Sequence, residues 1–476
     1  MTDVVGILGV AGHTRPSVQL APSGVGTERL AHSSAIAFGI HIGGAGLTYC
    51  SQMVLARIVG AASFGIYSYV LAWVTILAYL SALGFDVSLL RLVSVYRAQH
   101  AWALLRGVIH YAEWSATYAG FATTLLSAII VVVVEGQRSP ELTSCFLTGL
   151  VLIPVWALLW IRSSVVRAFG GVASALAPDR MIRDGLLLVL ISLASLVWRS
   201  KIDASFAMLA TLVSSAVGLG LVSHAASRRT HSAIHNIRPQ YDRSAWRRTA
   251  LPLVLLAVGE SALNRTGVVL LGSAHHTTDA GIYALAFNIT FLVALPRTAV
   301  NALFAPLVAD LFIRNDRVAL QRVIAKTSCW TLLGAVAMAL PIAVFAERLL
   351  VWFGPDFVVG ASAMRILLAG QIIAGAAGSQ LYLMTMTGHE RAAAVLLILS
   401  TLTSVAVSLV LISLIGLNGA AIAATAGIVA WNAAMGFFIQ RKLRLLPGVL
   451  AVFRRHHDTL AYDHIAVSSS EPSQNS

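Results

Sequence analysis

Three polar residues interrupt an otherwise apolar stretch between Leu256 and Leu271. Glu260, Asn264 and Arg265 lie within the sequence LAVGESALNRTGVVLL. A charged side chain at the centre of a bilayer costs at least about 2.5–3.5 kcal/mol, so such residues need a compensating role. Glu260 and Asn264 share a helix face, whereas Arg265 lies about 140° around the helix from Glu260. Glu260 is therefore expected to meet a neighbouring helix, or to bind a proton or Na⁺, rather than to pair with Arg265.

Further arginines lie in apolar segments downstream. Arg297 and Asn301 are four residues apart, and Pro296 beside them would free a backbone carbonyl. The planar guanidinium group of arginine suits phosphate, so we predict an anion-binding cavity, with structural bracing as the alternative role for each residue. The predicted binding residues are Asn264, Arg265, Arg297, Asn301 and Arg365, with Glu260 as a candidate coupling-ion site.

The composition indicates an integral membrane protein. The chain has 476 residues, of which 58% are hydrophobic and 11% charged, and its mean hydropathy is +0.80. A soluble domain has about 25% charged residues. The net charge of +13 comes from basic residues between apolar segments, which favours topology signals over nucleic-acid binding. Three scattered cysteines and the lack of nucleotide, zinc and hydrolase motifs predict no cofactor, no metal site and no catalytic residues.

Twelve segments are candidates for membrane spans, since a spanning helix needs about 20 mostly apolar residues. We predict them at 34–56, 65–90, 109–134, 143–163, 184–199, 203–223, 249–271, 280–303, 327–347, 361–385, 392–414 and 419–439. Basic residues concentrate in alternate connections, whereas the intervening connections hold few. Because positive residues stay on the cytoplasmic side, both termini are predicted to be cytoplasmic.

The two halves of the chain resemble each other. The tripeptide GIY at Gly65–Tyr67 recurs at Gly281–Tyr283, and at the same offset Trp114 meets Trp330. Six spans per half make the repeats parallel, which predicts an all-α polytopic membrane protein with two six-helix lobes related by a pseudo-two-fold axis along the membrane normal. The predicted parts are a polar, disordered N-terminal tail (1–33), an N-lobe (34–223), a basic cytoplasmic linker (224–248), a C-lobe (249–440) and a basic, then polar C-terminal tail (441–476).

The sequence also resembles a known family at both ends of its apolar region. Bacterial polysaccharide exporters open with a stretch similar to MVLARIVGAASFGIYSYVLAWVTILAYLSALGFDVSLLRLV. Their closing spans are similar to YLMTMTGHERAAAVLLILSTLTSVAVSLVLISLIGLNGAAIAATAGIVAWNAA. Over residues 34–445 the chain is similar to the O-antigen and exopolysaccharide flippase branch of the multidrug/oligosaccharidyl-lipid/polysaccharide (MOP) exporter superfamily.

The resemblance implies two lobes in a V around a central cavity. It also implies transport of undecaprenyl-pyrophosphate-linked oligosaccharides across the bacterial inner membrane for polysaccharide biosynthesis. The implied partners are this lipid-linked oligosaccharide, membrane lipids, and glycan polymerase or export machinery.

Other functions fit the sequence less well. A cation-coupled multidrug exporter of the MATE type, from the same superfamily, would need a cavity dominated by acids, whereas three candidate arginines accompany Glu260. A membrane glycan polymerase or ligase would need a sizeable outer loop with arginine, histidine or acidic residues, and the outer loops here are short. A pure scaffold would not need glutamate and arginine at mid-span.

The topology can be tested with single-cysteine variants. We predict that cysteine at position 235 or 448 reacts with a membrane-impermeant thiol reagent only after permeabilisation, because both positions lie on the predicted cytoplasmic side. Cysteine at position 138 or 275 should react in intact cells. Reversal at either pair would contradict the twelve-span topology and the repeat.

Overall fold

The computed structural model describes residues 25–135, 140–197, 202–234, 237–274 and 276–452, and this described part is helical without strands. Its helices are α1 (Val25–Ala82), α2 (Phe85–Ala98), α3 (Trp102–Glu135), α4 (Pro140–Leu150), α5 (Leu152–Ala168), α6 (Val172–Ala177), α7 (Arg183–Val197), α8 (Ala204–Ile234), α9 (Arg243–Ser273), α10 (Thr277–Phe291), α11 (Leu295–Ile313), α12 (Arg317–Val344), α13 (Ala346–Val351), α14 (Ala361–Ala377), α15 (Gln380–Met386) and α16 (Glu390–Phe438). Short π-helical turns lie at Pro178–Ile182 and Ile439–Leu443, and 3₁₀ turns at Leu292–Ala294 and Pro355–Gly360.

Within the described residues, the predicted spans fall on these helices and on the short turns that join them. Nine described helical stretches are long and apolar enough to cross a membrane, and two of them, Gly39–Ala98 and Glu390–Leu443, are long enough to cross it twice. The first bends at Gly60, whose φ of 78° is not helical, and the second at Gly416, whose φ is 55°. The short fifth span is completed by α6 and a π-helical turn ahead of α7. The prediction of an all-α protein with about twelve spans is therefore confirmed.

The eighth span is interrupted next to Pro296, as its sequence predicts. Helix α10 ends at Phe291, a 3₁₀ turn follows, and α11 begins at Leu295 with the proline in its first turn. Proline is tolerated there because the first amide groups of a helix have no intrahelical partner. Pro296 also packs closely on the third span of the C-lobe, where a Cβ on Gly334 would lie 2.6 Å from its ring.

The segment between the halves is more helical than the predicted linker. Helix α8 continues to Ile234, and Asp242 caps α9 by accepting a hydrogen bond from the Ala245 amide at 3.1 Å. Trp246 is fully buried against α2, α3 and α5, and its indole donates to the Tyr96 hydroxyl at 2.9 Å. The first turns of α9 thus pack on the N-lobe. Helix α1 begins at Val25, inside the predicted tail, and residues 1–24 and 453–476 lie outside the described part.

The repeated GIY segments form the contact between the lobes at the end opposite the arginine-rich connections. A Cβ on Gly65 would lie 1.8 Å from the Thr277 carbonyl oxygen, and a Cβ on Gly281 would lie 2.7 Å from the Ala61 carbonyl oxygen. Only glycine permits this approach of α1 and α10. Aromatic pairs across the lobes, such as Phe64 with Phe357 at 5.8 Å between centroids, complete what we call the glycine seal, formed by Gly65 and Gly281.

Replacing Gly65 with alanine should separate the lobes at this seal. Overpacking costs about 1–3 kcal/mol, which changes the ratio of closed to open states roughly 5- to 150-fold. A cysteine at Ser68, which lines the cavity beside the seal, should then react faster with an impermeant thiol reagent added from the short-loop side. Gly46→Ala on the same helix is the matched control, since a Cβ there has no neighbour within 4 Å. Equal labelling rates in the two variants would refute the seal.

Candidate functional site: a charged cavity between the lobes

A cavity of about 1440 Å³ lies between the two lobes. Its walls come from α1 and α2 of the N-lobe and from α9, α10, α15 and α16 of the C-lobe. At one end it is lined by Phe64 and Val268, which are buried beside the glycine seal. At the other end it is lined by Arg91 of α2 and by Arg248 and Arg391 of the first turns of α9 and α16, and all three arginines are exposed. The cavity therefore opens toward the arginine-rich end of the molecule.

Helix α9 brings three of the predicted residues to this cavity. Glu260, Asn264 and Arg265 all line it, and Glu260 is exposed to the open space. Two glycines hold the helix against its neighbours: a Cβ on Gly259 would lie 3.2 Å from a leucine of α16, and one on Gly267 would lie 2.4 Å from a tyrosine ring of α10. Close packing on both sides fixes the rotation of α9, so its polar face is held toward the cavity.

Tyr79 of α1 lies at the centre of the charged part of the cavity. Its ring stacks on Trp160, with 4.3 Å between the ring centroids and 24° between the planes. Its hydroxyl lies within electrostatic range of two charged groups from each lobe. These groups are Asp86 and Arg180 of the N-lobe and Glu260 and Arg265 of the C-lobe. The structure thus gathers charges from both halves of the chain around one hydroxyl group, which the sequence pattern did not reveal.

Glu260 has its counter-charge in its own lobe. It attracts Arg297 of α11, and Tyr382 of α15 lies within range of both charges. Among the residues that the structure describes, neither charge makes an ion pair within 4.0 Å. Glu260 and Tyr382 belong to the cavity lining, whereas Arg297 does not.

Asn301 and Arg365 are not brought to the cavity. The Asn301 side-chain oxygen accepts a hydrogen bond from the Ser379 hydroxyl inside the C-lobe. Arg365 forms an ion pair with Glu347 at 3.0 Å and donates to the Ala343 carbonyl oxygen at 3.2 Å, both at the short-loop end. Hydropathy predicts how deep a residue lies in the membrane, but not the direction in which its side chain points around the helix axis. That direction turns Asn301 and Arg365 away from the cavity.

Arginines that the sequence pattern assigns to membrane topology also line the cavity. Five arginines face three carboxylates there, and each lobe contributes at least two of the arginines. The arginines are Arg91, Arg180, Arg248, Arg265 and Arg391, and the carboxylates are Asp86, Glu260 and Glu390. Within the described chain, only one of these eight residues makes an ion pair within 4.0 Å: Arg180 contacts Asp179 at 3.9 Å.

Arginines elsewhere in the N-lobe do have partners. The Arg162 guanidinium contacts the Glu113 carboxylate at 2.8 Å. Arg183 donates to Asp179 at 2.8 Å and to Asp184 at 3.0 Å. A buried charge is costly unless it is paired, so these contacts serve the fold. The five cavity arginines lack such short carboxylate contacts within the described chain.

Two lobes that meet at one end and enclose a charged cavity are the architecture expected of the MOP exporter superfamily. Residues 30–134 match the family model described as a polysaccharide biosynthesis protein. The structure is similar to an inward-facing multidrug resistance MATE family transporter of the MOP superfamily, with a TM-score of 0.70, 14% identity and coverage of 86% of this chain and 98% of that one. No curated protein matches the sequence.

Two further structures show the same fold. An outward-facing MATE family transporter has a TM-score of 0.58 and 15% identity, covering 88% of this chain and 96% of that one. The lipid II flippase MurJ in an inward closed conformation has a TM-score of 0.60 and 13% identity, covering 93% of this chain and 94% of that one. The chain is thus a multi-pass membrane protein with the fold of these transporters, and the fold that the sequence resemblance implies is confirmed.

The electrostatic link between Glu260 and Arg297 can be measured with a double-mutant cycle. Glu260→Gln and Arg297→Gln should each lower the thermal stability of the purified protein, and the double variant should recover part of the loss. Groups that share a charge interaction show coupling energies of about 0.5–3 kcal/mol. The matched control is the Glu260→Gln, Arg265→Gln cycle, because Arg297 rather than Arg265 acts on Glu260. Additive effects in the first cycle would contradict the link.

Proposed function

We propose that the protein is a flippase that moves lipid-linked oligosaccharides, carried on undecaprenyl pyrophosphate, across the bacterial inner membrane for surface polysaccharide or exopolysaccharide biosynthesis. The observation that carries this proposal is the set of five cavity arginines, contributed by both lobes and almost free of carboxylate partners. A pyrophosphate is a compact dianion with many acceptor oxygens. Guanidinium groups bind such oxygens through pairs of parallel hydrogen bonds.

The cavity also suits a large polar head group. Sugar hydroxyls cannot enter hydrocarbon without losing their hydrogen bonds to water, so a glycan needs a polar passage. A cavity of about 1440 Å³ exceeds the usual range of small-molecule sites, about 300–1,000 Å³. The lipid chain can remain in the bilayer while the head group occupies the space between the lobes.

The direction of opening supports export from the cytoplasmic leaflet. The arginine-rich connections are predicted to be cytoplasmic, and the exposed residues of the cavity lining, Arg91, Arg248 and Arg391, lie at that end. The closer overlay on the inward-facing MATE transporter than on the outward-facing one agrees with this state. A substrate from the inner leaflet would therefore meet an open cavity, and its release outward would require the glycine seal to part.

The alternative of a cation-coupled multidrug exporter rests on the MATE structures, which share the fold but not the sequence. Coupling requires a carboxylate that binds and releases a cation. In the N-lobe, Asp179 and Asp184 already hold the Arg183 guanidinium and Glu113 holds Arg162, whereas Asp86 lines the cavity without an ion pair in the described chain. In the C-lobe, Glu260 has Arg297 as its counter-charge. The net positive cavity and the match to a polysaccharide biosynthesis family favour an anionic lipid over a cationic drug.

Arg265 is the residue that tests this proposal most directly, because it lies deep in the cavity. Arg265→Ala should reduce flipping of the lipid-linked oligosaccharide in proteoliposomes about tenfold or more, since a hydrogen bond to a charged group contributes about 1.5–3 kcal/mol. Lysine should restore part of the activity, because it keeps the charge without the planar fork. Arg365→Ala is the matched control, since Arg365 pairs with Glu347 away from the cavity. Normal flipping by Arg265→Ala would argue against an anionic head group at this position.

A further inference from the structure

Three side chains of the cavity wall carry an oxygen atom that is buried and has no hydrogen-bond partner. These atoms are Asp86 Oδ1 and Ser88 Oγ of α2 and Ser261 Oγ of α9. Ser88 is 1% exposed and Ser261 7% exposed. Nearly all buried polar atoms in proteins have a partner, so an unpartnered group beside a cavity points to a ligand.

The lack of a partner at the two serines is not a general property of hydroxyls on these helices. Ser94 of α2 donates to the Leu90 carbonyl oxygen at 2.7 Å, and Thr266 of α9 donates to the Ala262 carbonyl oxygen at 2.8 Å. A hydroxyl inside a helix can therefore be satisfied by the carbonyl four residues earlier. Ser88 and Ser261 do not use this route, which leaves both hydroxyls free to serve a ligand after rotation about one side-chain bond.

The break between α1 and α2 brings Asp86 and Ser88 to the cavity wall. Leu83 and Gly84 both adopt left-handed conformations, with φ of 52° and 73°, and a new helix starts at Phe85. A Cβ on Gly84 would lie 2.4 Å from the Ala250 carbonyl oxygen, so the break packs directly against α9. A bulky left-handed residue such as Leu83 is unusual and is kept where the surrounding structure requires it.

The chemistry of these groups selects among ligands. Asp86 brings a negative charge that repels phosphate, so the group is unsuited to the anionic part of a substrate. No cluster of three or more His, Cys, Asp or Glu side chains suited to a metal ion occurs in the part of the chain that the structure describes. A carboxylate, two hydroxyls and the Asn264 amide instead both accept and donate hydrogen bonds, as sugar hydroxyls require. Tyr79, fixed by its stacking on Trp160, adds an aromatic surface and a further hydroxyl.

We propose that Asp86 and Ser88 of α2 and Ser261 of α9 form a subsite for the hydroxyl groups of the uncharged sugars of the glycan, built from both lobes and separate in role from the arginines that bind the anionic group. The break at Gly84 packs against Ala250 and Val254 of α9, so Ser261 lies roughly 10–16 Å further along that helix, and the α2 and α9 groups contact different sugar rings of one oligosaccharide. The subsite rests on the proposed function, because it binds the glycan part of the same lipid-linked substrate. Since α2 and α9 belong to different lobes, an oligosaccharide that reaches both groups would contact the two lobes at once.

The test compares two probes on the purified full-length protein in lipid nanodiscs. One probe is undecaprenyl pyrophosphate without sugar, and the other is the lipid-linked oligosaccharide extracted from the cells that produce the protein. Ser88→Ala and Ser261→Ala should each weaken binding of the sugar-bearing lipid about three- to tenfold, with binding of the sugar-free lipid unchanged. Asp86→Asn should have the larger effect, because its carboxylate accepts stronger hydrogen bonds.

Two controls distinguish the loss of a sugar contact from unfolding of the variant protein. The ligand-free Ser88→Ala and Ser261→Ala proteins should melt at or above the wild-type temperature, because each variant removes a buried hydroxyl without a partner. Ser214→Ala is the matched control, since this fully buried serine of α8 bonds to the Ala210 and Thr211 carbonyl oxygens, apart from the cavity lining. It should leave binding of both lipids unchanged.

The outcomes distinguish the subsite from the proposed function. Equal weakening of both probes, or unchanged binding of the sugar-bearing lipid by the serine variants, would overturn the subsite. If Arg265→Ala still weakened binding of both lipids, the proposed function would stand without it. Failure of the wild-type protein to bind either lipid would overturn the proposed function and the subsite with it.

Discussion

Backbone contact at Gly65 and Gly281 sets the geometry on which the cavity depends. Because neither position has room for a Cβ, α1 and α10 approach more closely there than ordinary side chains would allow. The two glycines occupy equivalent positions in the two halves, so a single contact serves both lobes. The tyrosines that follow them in sequence, Tyr67 and Tyr283, are buried, and Tyr67 shares a hydrogen bond with Thr211 at 3.0 Å. The lobes are therefore in close contact at the glycine seal, and they can separate toward the opposite end.

That divergence is what leaves the cavity arginines unpaired. A guanidinium packed inside a lobe is costly unless it is paired, and Arg183 meets this cost through Asp179 and Asp184. An arginine on the wall of an open cavity can remain hydrated and keep its donors free. The opening between the lobes therefore has two consequences: it gives a head group space, and it allows cations to lie at membrane depth without internal neutralisation. Both would be lost if the lobes met along their whole length.

The sequence predicted the spans well because their apolar length is a local property. It also located Glu260, Asn264 and Arg265 in the cavity, since charge in the middle of a span requires a polar neighbour. It could not locate Arg91, Arg248 and Arg391, because an arginine at a helix end has the same pattern whether it faces solvent or a cavity. Asn301 and Arg365 bond within the C-lobe in the structure, and their helix rotation depends on tertiary packing that the sequence does not reveal. The importance of Tyr79 depends on four charges distant in sequence, so only the fold reveals it.

The charge arrangement bears on the energy source of the proposed transport. A pyrophosphate-linked lipid carries about two negative charges, and moving one charge through 100 mV corresponds to about 2.3 kcal/mol. Outward movement of two charges from a negative cell interior would release roughly 4–5 kcal/mol at that potential, by the same relation. Arginines fixed in the walls do not travel with the substrate and so do not cancel this gain. Glu260, which the sequence alone left as a candidate for H⁺ or Na⁺ exchange, faces the cavity with Arg297 as its counter-charge. A cation bound at Glu260 would have to compete with that arginine, whereas the membrane potential acts on the substrate without any bound ion. For the proposed substrate, the potential is therefore the simpler driving force.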